Sequence, residues 1–327
     1  MKNKVITVLV LFAMIITITS CGNKGNTSLN SSSNQEKSTS LRFVVMADCR
    51  GVNGGIDLKA VTKTMEDIKK ISPQPLFAVI PGDLVQGSNS YSSIKSQMVY
   101  FRDTITKYYP ISFFYPGFGN HEATAGVKGE QAFGEVFPEI KGNFLNGFNN
   151  TVYYFDKNNV RFYMLNSNHP GEEHIISDSQ LNWIKSNTDK TKKFNFYFSH
   201  EPAYPTGAHV GSSLDANKLQ RDKFWEIINN SINPMFFCGH EHNYTRRHIN
   251  SDFNETVNGE TFKFNKSVYQ VTTGTFGAPI EKGYTEKKNV DAAPILEYHF
   301  AIVDVSESKV NVTVYNLDGK VIDQFQQ

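Results

Sequence analysis

The chain has 327 residues, with 33 Lys and Arg against 32 Asp and Glu, so its net charge is close to zero. That balance argues against a polyanion-binding groove, and no nucleic-acid scaffold is expected as a partner. The length suffices for one large domain or two small ones with a sizeable core, and 25 Phe with 15 Tyr suit a β-rich one.

At the N-terminus, Lys2 and Lys4 precede an apolar run from Val5 to Thr19, shorter than the ~20 residues that a spanning helix needs. A basic start before a short apolar run reads as a secretory signal over residues 1–20. Its end, Ile18-Thr19-Ser20-Cys21, resembles a bacterial lipobox. The resemblance implies cleavage before Cys21 and lipid on its thiol; the plainer alternative is an ordinary signal with a chance cysteine. Stable anchoring takes more than one acyl chain. The expectation is a protein lipid-anchored outside the bacterial cell membrane and touching it through the lipid only. Residues 22–40, GNKGNTSLNSSSNQEKSTS, lack any apolar period and read as a flexible stalk, so residues 21–40 form a lipidated linker and 41–327 the folded domain.

From Leu41 onward, apolar strands alternate with amphipathic helices. RFVVMA, from Arg42 to Ala47, is the first strand. Asp57 can cap a helix whose apolar residues Leu58, Val61, Met65 and Ile68 follow a 3-4-3 spacing. Next come a strand from Leu76 to Ile80, a helix from Ile94 to Tyr108 and a strand from Ile111 to Tyr115. Val152–Tyr154 and Val160–Leu165 form a hairpin around Lys157-Asn158-Asn159. A helix near Asp178–Thr188 carries Trp183, Phe194–Phe198 alternates as a strand, Leu219–Ile228 is a helix and Pro234–Cys238 a strand. The last third reads as strands near Ser267–Thr273, His299–Val305, Val310–Tyr315 and Val321–Phe325, with a Leu317-Asp318-Gly319 turn. Helix and strand alternate early and strands dominate late, which predicts one α/β domain on two packed sheets.

The residues that end these strands carry the chemistry. Asp48, Asp83, then Asn120, His121 and Glu122, then His200, then His240, Glu241 and His242 follow five successive apolar strands. Open α/β sheets place their sites at that end. Any single histidine there is more simply a surface or core residue, but five such exits together imply a shared ligand. Imidazole, carboxylate and amide oxygen suit a divalent Mn, Fe, Co or Zn. Six donors are too many for one catalytic ion with an open position, whereas two ions sharing a carboxylate can use them and clamp a phosphoryl group.

GDLV at Gly82–Val85, GNHE at Gly119–Glu122, His200 in SHEP and GHEH at Gly239–His242 resemble the ordered motifs of calcineurin-like metallophosphoesterases. Asn243-Tyr244-Thr245-Arg246 after them is similar to the purple acid phosphatase branch. The resemblance implies two packed mixed β-sheets flanked by helices, and hydrolysis of phosphomonoesters or phosphodiesters by a metal-activated hydroxide in a binuclear site. It implies that Asp83 bridges the ions, that Asn120, His200 and His240 complete one, and that Asp48 and His242 belong to the other. His121 would stand beside the leaving-group oxygen, and Glu122 would orient His121.

One motif departs from the family. Where the family has Asp-x-His, this chain has Asp48-Cys49-Arg50, and a guanidinium has no lone pair to give a metal. The tyrosine of the purple branch, three residues after the bridging Asp, is Gln86 here. Three readings stand. One ion keeps Asp48, Asp83 and His242 with water or the Gln86 amide; Arg50 replaces that ion and holds substrate phosphate bidentately; or Arg50 pairs with a surface carboxylate. The count is therefore two divalent ions, or one if Arg50 replaces the other. His209, on the Gly-rich stretch YPTGAHVGS, either lines a substrate cleft or is a solvated loop residue, and Thr273–Gly277 either approaches the site or simply ends a strand. Cys49 and Cys238 flank site residues and are free or bridged. His169, His174, His248 and His299 are taken as structural. Leaving-group preference would live in the loops 203–213 and 277–294. The alternative function is a lipid-anchored phosphate- or metal-binding protein with little or no hydrolysis.

Overall fold

Two mixed β-sheets face each other, with helices against them. The computed structural model describes residues 41–327, which form one unit; the expectations for the signal segment, Cys21 and the linker fall outside them. Among the described residues no helix is long and apolar enough to cross a membrane. The first sheet has six strands in the order Val321–Gln326, Val310–Asn316, His299–Val305, Leu41–Val45, Ala78–Ile80, Phe114–Pro116. Its last three strands run parallel, and Leu41–Val45 meets His299–Val305 antiparallel. The second sheet has eight strands in the order Val290–Ile295, Tyr244–Ile249, Val268–Thr273, Pro234–Cys238, Phe194–Phe198, Val160–Met164, Tyr153–Lys157, Asn143–Phe144. Four of these, from Val268–Thr273 across to Val160–Met164, are parallel.

Burial on both faces explains the unbroken apolar runs. Phe43, Phe77, Phe162 and Phe196 meet between the sheets with ring centroids 5.2–5.4 Å apart. Alternate residues such as Tyr163, Tyr197 and Phe236 join a second core with Trp225 and Ile228 of the helix Lys218–Asn230 and Leu181 and Ile184 of the helix Asp178–Ser186. The helices Leu58–Ile68, Tyr91–Ile105 and Val127–Val136 bury Met65, Phe101 and Phe133 in the first core. Asp57 caps the first of them, accepting from the backbone N–H of Ala60 at 3.0 Å.

Besides the edge strands Asn143–Phe144 and Val290–Ile295, which the sequence did not show, three elements differ from the sequence reading. Ile111–Phe113 is a 3-10 turn and the strand is only Phe114–Pro116, because Pro110 precedes the turn and fixes its entry. The helix Val127–Val136 was not expected, since Gly129 and Gly134 interrupt its apolar pattern. A side chain at Gly129 would strike the carbonyl of Glu122, so packing demands the glycine that hides the helix. The strand Tyr244–Ile249 contains Arg246, Arg247 and His248 yet pairs on both edges; tertiary partners, with Asp323 taking Arg246, override its polar composition.

Candidate metal centre

The two sheets meet where their parallel strands end. Ala47 bridges to Gly274, its N–H donating to the carbonyl of Thr273 at 3.1 Å, and the N–H of Phe276 donates back to Ala47 at 3.0 Å. Thr275 Oγ1 and the N–H of Ala278 both donate to the Asp48 carbonyl at 3.0 Å. The segment 273–278 thus approaches the site and fixes the backbone of Asp48.

Asp48, Asp83 and His240 have left-handed backbones with φ of 60°, 50° and 70°. Such conformations in non-glycine residues each cost about 1–3 kcal/mol and persist where surrounding contacts over-determine them. Here the N–H of His240 donates to both carboxylate oxygens of Asp48 at 3.1 and 3.2 Å, and the N–H of His121 donates to Asp83 Oδ1 at 3.1 Å. Gly239 and Gly119 are required beside them, because a Cβ on either would strike the carboxylate of Asp48 or Asp83.

Four donors converge. His200 Nε2 lies 2.8 Å from Asn120 Oδ1, 3.1 Å from His240 Nδ1 and 3.4 Å from Asp83 Oδ1. Ligand atoms held about 2.0–2.2 Å from one ion stand roughly 3–3.5 Å from each other, so the three distances to His200 Nε2 are close to those between neighbours in one coordination shell. Asp48, Asp83 and His200 also bring their donor atoms within 4.8 Å of one another, all buried. Burial first, and the charge of Asp48 second, push the Asp83 carboxyl well above the usual range, a penalty that a nearby cation relieves. Burial and the neighbouring His240 hold His200 well below its usual range, and burial with His209 lowers His240 to about 3, leaving neutral rings with lone pairs to give.

Backbone carbonyls select the tautomers. Nε2 of His240 donates to Ser212 O at 3.1 Å and Nδ1 of His242 to Pro279 O at 2.8 Å, which turns the other nitrogen of each ring toward the cluster. His242 Nε2 stands 3.6 Å from Asp48 Oδ1. Nδ1 of His121 donates to Gln86 O at 2.5 Å, and its Nε2 faces Asp83 Oδ2 at 3.8 Å.

Glu122 corrects the expectation that it orients His121. Its Oε2 accepts from the N–H groups of Asp83 at 3.0 Å and Gly119 at 2.8 Å, and its Oε1 from Val85 at 3.0 Å. It ties two strand-end loops together, and Gln86 holds His121 instead. Glu241 does the same on the other side, accepting from Thr206 N and Oγ1 at 2.8 and 2.9 Å and Gly207 N at 2.6 Å.

Arg50 is brought to the cluster with its side chain 18 % exposed; its Nε lies 4.0 Å from Asp83 Oδ2 and its Nη2 3.9 Å from Glu281 Oε1. His209 stacks on His240 with centroids 3.9 Å apart and its Nε2 lies 3.0 Å from Glu281 Oε2, so it faces the site rather than solvent alone. Glu281 escaped the sequence reading: it lies in a loop without periodicity or motif, and only the fold places it there. Gln86 is exposed, and the contact it makes to the cluster is its carbonyl to His121. Cys49 and Cys238 are buried free thiols. His169, His174 and His248 pair with Glu130, Glu201 and Asp291, and His299 Nδ1 donates to Glu297 O.

A family model described as calcineurin-like phosphoesterase matches residues 41–244. No curated protein matches. Among solved structures, a purple acid phosphatase from seeds of yellow lupin (Lupinus luteus) superposes with a TM-score of 0.64 at 16% identity, over 89% of this chain and 54% of that one. PhoD superposes with a TM-score of 0.63 at 12% identity, over 87% of this chain and 72% of that one. GAP50, the anchor in the inner membrane complex of Plasmodium, superposes at 0.57 and 14% identity, over 88% of each chain. The chain spans about half the length of the lupin phosphatase. At these identities the three share its fold, two mixed sheets flanked by helices.

Proposed function

Since the chain belongs to the calcineurin-like phosphoesterase family, we propose that it hydrolyses phosphoric esters, monoesters or diesters, at a divalent metal centre on the outer side of a bacterial membrane. The observation that carries this reading is the convergence of Asp83 Oδ1, Asn120 Oδ1 and His240 Nδ1 on His200 Nε2. These four residues would hold an ion, and Asp48 and His242 lie beside them as further donors. A divalent ion there supplies Lewis acidity for displacement at phosphorus.

The chain's own groups do the rest. Arg50 has unpaired donors suited to two phosphoryl oxygens. His121, its ring fixed through Gln86, presents Nε2 toward Asp83 Oδ2; only after taking up a proton there could it donate to a departing oxygen. His209 and Glu281 would border the leaving group, so the loops 203–213 and 277–289 would set substrate preference. Lipid on Cys21 and the linker 22–40 would tether the domain to the membrane.

The test is phosphate release from p-nitrophenyl phosphate and nitrophenol release from its bis ester, after loading with Mn²⁺ or Zn²⁺. Turnover of at least one ester, abolished by EDTA and restored by the metal, is expected. Tight metal and phosphate binding with no turnover on either ester would instead favour the binding-protein alternative.

A further inference from the structure

Building on the reading that Asp83, Asn120, His200 and His240 hold an ion, we propose that the centre is mononuclear: the Arg50 guanidinium takes the place of a second cation beside Asp83, is held there by Glu281, and grips the phosphoryl group of the substrate.

The two oxygens of Asp83 face different company. Oδ1 looks toward the four-donor cluster, 3.4 Å from His200 Nε2. Oδ2 looks toward Arg50 Nε at 4.0 Å and His121 Nε2 at 3.8 Å. An ion sharing Asp83 from that side would find Asp48, Asp83 and His242 as donors and a guanidinium against the shared oxygen. Arginine cannot shed its proton to make room.

Arg50 is also kept from swinging away. Its Nη2 lies 3.9 Å from Glu281 Oε1. Glu281 is itself pinned, with its N–H donating to His242 O at 3.1 Å, its Oε2 3.0 Å from His209 Nε2 and its Oε1 3.3 Å from His242 Nδ1. Neither carboxylate comes close enough to Arg50 for a hydrogen bond, and Arg50 Nε is buried without an acceptor. A buried charged donor left unpaired is costly, and a tetrahedral oxyanion between Asp83 and Glu281 would satisfy it in the two-pronged geometry that guanidinium favours. The ligand class is therefore a phosphoryl group, with inorganic phosphate as the simplest probe.

The full-length chain, purified in detergent and stripped of metal, is dialysed against excess Mn²⁺ or Zn²⁺, and bound metal per chain is measured by plasma mass spectrometry. Wild type should bind one ion and Arg50→His two, with circular dichroism confirming that the variant is folded. By calorimetry on the loaded protein, Arg50→Ala and Glu281→Gln should each bind inorganic phosphate at least tenfold more weakly than wild type. Two ions in wild type, one ion in folded Arg50→His, or unchanged phosphate affinity in both other variants would overturn the inference. No bound ion in wild type would instead overturn the metal-centre reading on which it rests.

Discussion

Two buried glutamates do at the level of single residues what the metal-facing side chains cannot do for themselves. Glu122 and Glu241 each follow a strand-end histidine, and each uses its carboxylate to collect backbone N–H groups from a neighbouring loop. Burial, and then the charge of Asp83, raise Glu122 to about 8, and the N–H groups of Gly119 and Val85 offset part of that penalty. Glu122→Ala leaves three such donors in a dry interior. The expected loss of stability is roughly 3–5 kcal/mol, read as a lower urea midpoint of the metal-free protein. Glu122→Gln should lose less, because an amide oxygen still accepts.

The helix Leu58–Ile68 shows how an element's local signals reach the site. Asp57 caps it through the N–H of Ala60, and the N–H of Asp57 donates to Cys49 O at 2.9 Å, one residue from Asp48. The cap therefore secures both the helix start and the loop that carries Asp48 and Arg50. Asp57→Ala should cost about 1 kcal/mol by loss of the cap, measured by denaturant unfolding. A change below a few tenths would mean that the helix start is held by packing of Val61 and Met65 instead.

Across the whole molecule, Asp48, Asp83 and Asn120 come from one sheet and His200, His240 and His242 from the other. Any ion at their meeting point would join the two layers. Away from the centre, His299 is fully buried on the first sheet, its Nε2 without a partner and its ring edge-on to Tyr244. Burial lowers it from 6.5 to about 4. Above pH 6.5 the ring is neutral whether folded or unfolded. As pH falls from 6.5 toward 4, the unfolded chain takes up a proton that the folded one refuses, so stability is lost through that window and the loss is complete below it. The size is roughly 3 kcal/mol. His299→Phe should flatten the stability profile between those pH values relative to wild type, with urea midpoints measured at steps of pH; parallel profiles would refute it.

Much of this was legible in the order of residues. The apolar runs and 3-4-3 spacings give strands and helices because burial periodicity is local, and Asp48, Asp83, Asn120, His200, His240 and His242 stood out because strand ends expose the residues that follow them. Asp57 as a cap and the hairpin at Asn158, which takes a φ of 56°, are likewise written in neighbouring residues. What the tertiary structure alone decided depends on residues far apart in the chain. Glu281 reaches Arg50 and His242 from a patternless loop; Glu122 turned out to hold backbone rather than His121; and the charged strand Tyr244–Ile249 lies inside a sheet because Asp323 and the carbonyls of Tyr204 and Pro205 receive its arginines. Periodicity can report which face of an element is buried. It cannot report which distant oxygen will satisfy a buried charge, because that is fixed only when the two sheets close.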